Sequence, residues 1–150
     1  MGATLSMCWF SPERMFFAHL GDSRIYYLPA GGGMKQLTED DTFVGWLFRN
    51  GKINEREARE HPRRHSLQKV LGAGNQFVDP QIGAVVFEPG DRFLLCSDGL
   101  NDGLFDSRLE ELLRSPTGEG ATPSPAERLV AASVAQSGRD NTTALVIEVF

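Results

Sequence analysis

The sequence predicts an α+β fold built from antiparallel β-sheets, with the helices segregated from the strands. Three observations support this prediction. Short β-prone segments separated by glycine- and proline-rich turns fill residues 3–37. Helical segments then follow in groups rather than alternating strictly with strands. The chain has 150 residues, which is enough to bury one core but too few for two domains, so we expect a single domain over residues 1–150.

Four predicted strands occupy the N-terminal part of the chain. Ala3 to Phe10 is apolar and β-prone, and the turn "SPER" leads into a second strand, "MFFAHL". The turns "GDSR" and "PAGGG" then precede two shorter strands, "IYYL" and "MKQL". We expect these four strands to pair in chain order as an antiparallel meander.

Two helices are predicted after Thr38. The first contains crowded apolar side chains from Phe43 to Phe48 and stops near Gly51. The second begins after Asn54, a favoured N-cap residue, and ends before Pro62, which disfavours helix at the residue preceding it.

The second half returns to strands before two further helices. The strand "QIGAVVFE" turns at "PGD" into the strand "RFLLCSD". Helices are expected at about 107–114 and 125–137, separated by a loop of glycine, proline, threonine and serine. The last predicted strand is "TTALVIEVF".

Charge and hydropathy argue against two classes of partner. The net charge of −5 and the pI near 5.2 provide no basic field to hold nucleic acid or anionic lipid. No apolar run approaches the roughly 20 residues that span a bilayer, and the N-terminus lacks the order of a signal peptide. We therefore expect a cytoplasmic protein, no nucleic-acid or membrane partner, and reduced thiols at Cys8 and Cys96.

Cys8 and Arg14 have the C-x5-R spacing of cysteine phosphatases, but the loop between them is unsuited to phosphate. Pro12 removes a backbone donor, and no glycine lets the backbone wrap around an anion. We therefore do not predict a cysteine nucleophile.

The stretch "FLLCSDGLNDGLFD" places Asp98, Asp102 and Asp106 where a buried strand ends. Carboxylates in water-poor surroundings need a counter-charge, and no lysine or arginine lies between residues 93 and 107. Oxygen ligands suit Mg²⁺, Mn²⁺ or Ca²⁺, whereas the lack of a cysteine and histidine cluster disfavours zinc. The pattern favours a hard divalent cation.

An EF-hand calcium loop counted from Asp98 fails, because its third and twelfth positions hold Leu100 and Leu109. Two further aspartates lie next to strands, Asp22 after one and Asp140 before another. Aspartates from three strand ends can converge on one ion. Each could instead be a turn residue or a helix N-cap, and the residues alone leave both interpretations open.

Six motifs occur in the order that is typical of protein phosphatases of the 2C type, and the sequence resembles the bacterial branch of that family over essentially its whole length. They are "MGATL", "HLGDSRIYYL", "LTEDDT", "NGKINEREAREHPRRHSLQKVLG", "PGDRFLLCSDGLNDGL" and "SGRDNTTALVIEV". The resemblance implies a β-sandwich of two antiparallel sheets flanked by helices. It also implies a dinuclear Mn²⁺ or Mg²⁺ centre whose bridging water attacks phosphoserine or phosphothreonine, without a covalent phosphoenzyme.

The resemblance also suggests roles for individual residues. Asp98 and Asp140 match ligands of one of the paired ions, whereas Asp22, Asp98 and Asp102 match the site of a third, weaker ion. Residues expected to be scaffold are Gly21, Gly99, Arg24, Asp40 and Asn141. The segment from Thr42 to Arg64 resembles the mobile flap beside the cleft in this family, and a packed helical pair is the open alternative.

The sequence also departs from the family pattern. A complete family domain is longer and begins with a segment containing a D-G-x-G-G-H-like motif, whose aspartate bridges the two ions. Here "MGAT" matches the middle of that domain, and the only Asp-Gly pairs begin at Asp98 and Asp102, so the bridging aspartate has no candidate. The upstream phosphate-binding arginine is also missing, and Asp41 stands where histidine is common. We expect the C-terminal part of a catalytic domain, with apolar sheet surface and open strand edges exposed.

The resemblance implies a metal-dependent serine/threonine protein phosphatase, of which this chain alone is expected to be inactive or weak. Its partners would be a phosphorylated protein substrate and a cognate serine/threonine kinase. One alternative is a non-catalytic pseudophosphatase that acts as a binding module. Another is a relative with the same chemistry that acts on phosphorylated anti-sigma-factor antagonists.

Overall fold

The computed structural model describes residues 1–74, 78–115 and 123–150, so most of the predicted loop between the last two helices lies outside the described residues. The elements in chain order are β1 (Gly2–Ala3), β2 (Leu5–Phe10), β3 (Arg14–Leu20), β4 (Arg24–Leu28), β5 (Lys35–Gln36), α1 (Phe43–Arg49), α2 (Glu55–Glu60), β6 (Leu71–Gly72), β7 (Gln81–Val86), β8 (Arg92–Cys96), α3 (Asp98–Gly103), α4 (Asp106–Arg114), α5 (Pro125–Gln136) and β9 (Ala144–Glu148). All strand pairs within the described residues are antiparallel, which confirms the α+β class with antiparallel sheets.

The chain divides into two compact units. The first comprises residues 1–23 and 38–86, and the second comprises residues 24–37 and 87–150. Among the described residues, no helix combines the length and the apolar character needed to cross a bilayer.

The first unit contains a three-stranded sheet with the order β2-β3-β7 and a two-stranded sheet formed by β1 and β6. The predicted hairpin of β2 and β3 is confirmed, and its register pairs Trp9 with Phe16, whose rings stack with centroids 5.3 Å apart. Side chains on one face of the larger sheet are exposed and apolar. They are Met7, Trp9, Phe16, Ile82 and Val86, which we call the open face.

The helices of the first unit begin at the caps that their sequences provide. The Thr42 side chain accepts a hydrogen bond from Gly45 N at the start of α1. Asn54 and Glu57 form a reciprocal capping box at the start of α2, as the predicted N-cap at Asn54 requires.

The second unit is a four-stranded sheet, in the order β5-β4-β8-β9, that carries the main buried cluster. The apolar side chains of this cluster come from β4, β8, the helices α3, α4 and α5, and the residue that follows α3. The buried members are Tyr26, Leu28, Leu94, Cys96, Leu100, Leu104, Leu109, Leu113 and Leu129. Helix α5 starts with a capping box between Ser124 and Glu127 and with Pro125 at its first position.

Two of the three pairings of the predicted meander are confirmed, β2 with β3 and β4 with β5, but the predicted pairing of β3 with β4 is wrong. Strand β3 pairs with β2 and β7, whereas β4 pairs with β5 and β8 in a different sheet. Both β3 and β4 carry buried side chains and are central strands with a partner on each side. Turn residues show where the chain reverses, but not which distant strand completes the ladder.

Three local assignments also differ from the prediction. The first strand is interrupted at Thr4, so that β1 and β2 pair with different partners, and the two-residue strand β6 was not predicted. Strand β8 ends at Cys96, and the next residues form the unpredicted helix α3. Two glycines disfavour helix in this segment, but they also permit close packing. A Cβ on Gly103 would lie 2.2 Å from Ser133 Oγ on α5.

Candidate metal centre

Asp98 lies in the first turn of α3, two residues after β8 ends. Its side chain is partly buried, and its Oδ1 accepts a hydrogen bond from Gly99 N at 2.9 Å. Asp102 follows four residues later in the same helix, a spacing that places the two carboxylates on the same helix face.

Asp140 belongs to the loop before β9, and this loop is fixed against the start of α3. Ser97 Oγ accepts a hydrogen bond from Thr143 N at 3.0 Å and donates one to Asn141 O at 3.3 Å. Because Cys96 pairs with Ala144, Asp98 and Asp140 lie at the same end of the β8–β9 ladder. The second unit therefore brings the segments of Asp98, Asp102 and Asp140 together.

Gly99 has the scaffold role expected from the sequence, and the backbone of Asn141 contacts both Gly99 and Asp140. A Cβ on Gly99 would lie 2.4 Å from Asn141 O, so only glycine permits this approach of the loop to the helix. Asn141 N donates to Asp140 Oδ1 at 2.7 Å, which holds the aspartate in its turn.

Asp106 has a structural role in the core of the second unit. The Tyr26 hydroxyl donates to Asp106 Oδ1 at 3.1 Å, and Arg24 Nη1 donates to the Tyr26 oxygen at 2.9 Å. Burial raises the pKa of Tyr26, so this hydroxyl remains protonated and available as a donor. The structural contact expected of Arg24 is thus confirmed.

Asp22 lies in the turn after β3, in the first unit. Gly21 adopts a φ of +113°, and a Cβ there would lie 2.4 Å from Thr4 Cγ2, which confirms the need for glycine. On the other side of Asp22, the hydroxyls of Thr4 and Ser23 are hydrogen-bonded at 3.0 Å. The backbone on both sides of Asp22 is therefore held in place.

Asp41, the residue that departs from the family pattern, also supports this turn. Its buried carboxylate accepts from Gly21 N at 3.0 Å, and its own N–H donates to Gly21 O at 2.7 Å. His19 contacts the same carbonyl through Nε2 at 3.1 Å and Ser6 Oγ through Nδ1 at 2.8 Å. Burial lowers the pKa of His19, so that a neutral ring donates from Nε2 and accepts at Nδ1.

The sequence interpretation missed one side chain beside Asp22. A carboxylate oxygen of Asp22 and a ring nitrogen of His65 lie within 4.8 Å of each other, close enough for both to face one ion. No spacing rule connects the two residues, because the contact depends on tertiary hydrogen bonds. His65 follows directly after the segment that resembles the flap.

The flap-like segment forms a packed helical pair. The Phe43 ring at the start of α1 contacts His61 edge-on, with centroids 6.3 Å apart, and the Arg63 guanidinium lies 4.6 Å from the Phe43 centroid. The packed helical pair was the open alternative to a mobile flap in the sequence analysis. Movement of the pair as a flap stays a prediction.

Neither cysteine has the properties of a nucleophile. Burial raises the pKa of the Cys8 thiol to about 11, so the group is protonated at neutral pH. Cys8 and Cys96 are both free thiols, and Cys96 is buried. These observations agree with the rejection of a cysteine phosphatase mechanism.

The donor set fits a hard divalent cation. The four aspartates predicted as ligands offer carboxylate oxygens, the ligand class preferred by Mg²⁺ and Mn²⁺. Asp98, Asp102 and Asp140 belong to the second unit, and Asp22 belongs to the first. His65 adds a nitrogen donor beside Asp22, a ligand that Mn²⁺ accepts more readily than Mg²⁺.

Comparison with known proteins identifies relatives of the chain. The serine/threonine protein phosphatase PstP of Mycobacterium tuberculosis is 38% identical over 149 residues, which are 99% of this chain and 28% of PstP. The serine/threonine phosphatase stp of Listeria innocua is 34% identical over 99% of this chain and 57% of its own length. The crystal structure of the PstP catalytic domain in complex with two manganese ions superposes with a TM-score of 0.83 and 36% identity, covering 97% of this chain and 58% of that one.

These matches agree in two respects. Each relative aligns with nearly all of this chain, yet the chain spans less than two thirds of each relative's length. The family described as Protein phosphatase 2C matches residues 1–132. The chain therefore belongs to the protein phosphatase 2C family.

Proposed function

We propose that this chain is the C-terminal part of the catalytic domain of a bacterial metal-dependent serine/threonine protein phosphatase. The observation that carries the proposal is the convergence of the Asp98 and Asp140 segments at one end of the β8–β9 ladder. A relative that is similar over nearly the whole chain binds two manganese ions in its catalytic domain.

Within this proposal, Asp98 and Asp140 hold one of two catalytic Mn²⁺ or Mg²⁺ ions. Asp22, Asp98 and Asp102 hold a third, weaker ion. When bound, the paired ions supply an activated water and neutralise charge on the phosphate. Ser97 and Gly99 orient the ligand-bearing loop, and Asp41 orients the Asp22 turn, so that the carboxylates need little rearrangement to bind.

The substrates would be phosphoserine and phosphothreonine in proteins, and the protein would act in signalling with a cognate serine/threonine kinase. The exposed side chains of Trp46 and Phe48 on α1 support a role for the flap-like segment in contacting protein substrates. The two free cysteine thiols support a reducing, cytoplasmic location.

The alternative function is a non-catalytic pseudophosphatase that binds a partner. It is favoured by one sequence observation, since the only Asp-Gly pairs are those at Asp98 and Asp102, which leaves the bridging aspartate without a candidate in this chain. A centre without that bridge would lose the ligand that sets the spacing between the ions.

The test is Mn²⁺-dependent hydrolysis of a small aryl phosphate and of a phosphothreonine peptide. It compares this chain with a longer polypeptide encoded by the same reading frame together with upstream sequence carrying a D-G-x-G-G-H motif. We expect activity in the longer form and little or none in this chain alone. Equal activity of the two forms would contradict our interpretation of the bridge, and a folded longer form that is inactive at all Mn²⁺ concentrations would favour the pseudophosphatase.

A further inference from the structure

The Asp22 turn is joined by hydrogen bonds to the segment that follows α2. Asp41 bonds to the turn in both directions, through Gly21 N and Gly21 O. The carbonyl oxygen of Asp41 also accepts from Gln68 N at 2.7 Å, and Phe43 N donates to Ser66 O at 3.2 Å. One short stretch around Asp41 therefore fixes both the Asp22 turn and residues 66–68.

His65 is the residue immediately before this fixed stretch. Its position follows from the backbone bond at Ser66 and from the bridge between Thr42 and Leu67. As a result a ring nitrogen of His65 and a carboxylate oxygen of Asp22 lie within 4.8 Å. The imidazole is exposed, so an ion in solvent can reach it.

The bound on this separation is compatible with one shared ion. Nitrogen and oxygen ligands lie about 2.0 to 2.2 Å from a transition metal, so two ligands of one ion are roughly 3 to 4.3 Å apart. The upper bound of 4.8 Å between the two donors lies close to that range. A carboxylate with an imidazole is a donor set that suits Mn²⁺ or Zn²⁺ better than Mg²⁺.

We propose that His65 is a nitrogen ligand of the ion held by Asp22, so that this ion ties the end of the flap-like segment to the Asp22 turn within the first unit. The proposal rests on the proposed function for the assignment of an ion to Asp22. It adds a ligand and a metal preference. Mn²⁺ should bind this position more tightly than Mg²⁺, and its binding should restrain the segment around residues 61–66.

The other two histidines are poor candidates for the same role. His19 is buried, and both of its ring nitrogens are occupied by Ser6 Oγ and Gly21 O. His61 packs against Phe43, and its Nδ1 accepts a hydrogen bond from Arg63 N at 3.1 Å. A nitrogen signal from a bound metal would therefore be attributable to His65.

The test uses Mn²⁺ as the probe and electron spin echo spectroscopy to detect nitrogen bound to the ion. In the wild-type chain we expect a ¹⁴N coupling from imidazole. His65→Ala and His65→Asn should abolish the coupling and weaken one Mn²⁺ site about tenfold. His61→Asn is a matched control in the same segment. It should leave the ¹⁴N coupling and the Mn²⁺ affinity unchanged. Asp22→Asn should also abolish the coupling, because the two side chains share one ion.

The outcomes separate this inference from the proposed function. Bound Mn²⁺ without ¹⁴N coupling, or a coupling that survives in folded His65→Ala, would overturn the role of His65 and leave the phosphatase assignment standing. Either result would mean that Asp22 and His65 lie near each other without sharing a metal ion. Failure of the folded chain to bind Mn²⁺ at all would overturn the role of His65, whereas the phosphatase assignment is decided by the activity of the longer polypeptide. Circular dichroism of each variant establishes that the fold is retained.

Discussion

Gly99 lies so close to Asn141 that a Cβ on residue 99 would be 2.4 Å from the Asn141 carbonyl oxygen. This approach brings the Asp140 loop against the helix that carries Asp98. The close packing of these two segments, which are distant in sequence, therefore requires that residue 99 has no side chain.

We expect Gly99→Ala to displace the Asp140 loop, because the oxygen belongs to the backbone and cannot swing away. The Mn²⁺ affinity should fall about tenfold or more, as is typical when the support of a metal ligand is lost. Isothermal titration calorimetry with Mn²⁺ provides the measurement. Gly31→Ala is the matched control, since a Cβ there would meet nothing within 4 Å. Equal Mn²⁺ affinity of the two variants would show that the contact does not position the loop.

The assigned ligands should differ in importance. In a catalytically active form that includes the rest of the domain, Asp98→Asn and Asp140→Asn should each lower activity by roughly a hundredfold or more, because each removes a ligand of a catalytic ion. Asp22→Asn should cost less, roughly tenfold, because it affects only the third ion. Steady-state hydrolysis of an aryl phosphate at several Mn²⁺ concentrations measures the difference.

Asp79→Asn serves as the control for these three variants. The Asp79 side chain is 92% exposed and pairs with Lys69 rather than with the metal-binding segments, so we expect its activity to be unchanged. The ligand assignment would be wrong if Asp22→Asn proved more damaging than Asp98→Asn.

Acid should destabilise the second unit through Asp91, which is only 3% exposed. Burial alone would raise its pKa, but hydrogen bonds from the Tyr27 hydroxyl, Glu88 N and Ala30 N outweigh burial and hold the pKa below its usual value. A pKa that is lower in the folded state contributes stability above the unfolded pKa near 3.9. That contribution is lost as the pH falls through the folded value.

Asp91→Asn should therefore lower the free energy of unfolding by about 1 to 3 kcal/mol at pH 7. The difference from wild type should shrink as the pH is lowered from 5 towards 2. Urea unfolding followed by circular dichroism at each pH gives the values. A difference that stayed constant over this range would mean that the carboxylate charge contributes nothing to stability.

The open face should make the isolated chain self-associate. Trp9 is 65% exposed on this apolar patch, and its strand β2 is an edge strand with no partner on its outer side within the described residues. We expect Trp9→Lys to shift sedimentation profiles towards monomer. Trp46→Lys is the control, because it replaces the second tryptophan of the chain, which lies on helix α1 and not on the open face. It should change self-association much less. Monomeric wild-type protein at high concentration would contradict this prediction.

The sequence by itself determined most of the local structure. Apolar strands between turn residues predicted β2, β3, β4, β7, β8 and β9, and the N-cap residue Asn54 predicted where α2 starts. These features depend on neighbouring residues, and neighbours are visible in a sequence. The aspartates next to strands were visible for the same reason, and the resemblance to the 2C family gave each a role.

Tertiary structure alone decided which distant segments meet. It placed β3 and β4 in different sheets, and it made a helix of α3 because Gly99 and Gly103 allow close approach to Asn141 and Ser133. It also brought His65 beside Asp22 through hydrogen bonds at Asp41. Such contacts depend on packing and backbone bonding between remote parts of the chain, and neither periodicity nor residue spacing encodes them.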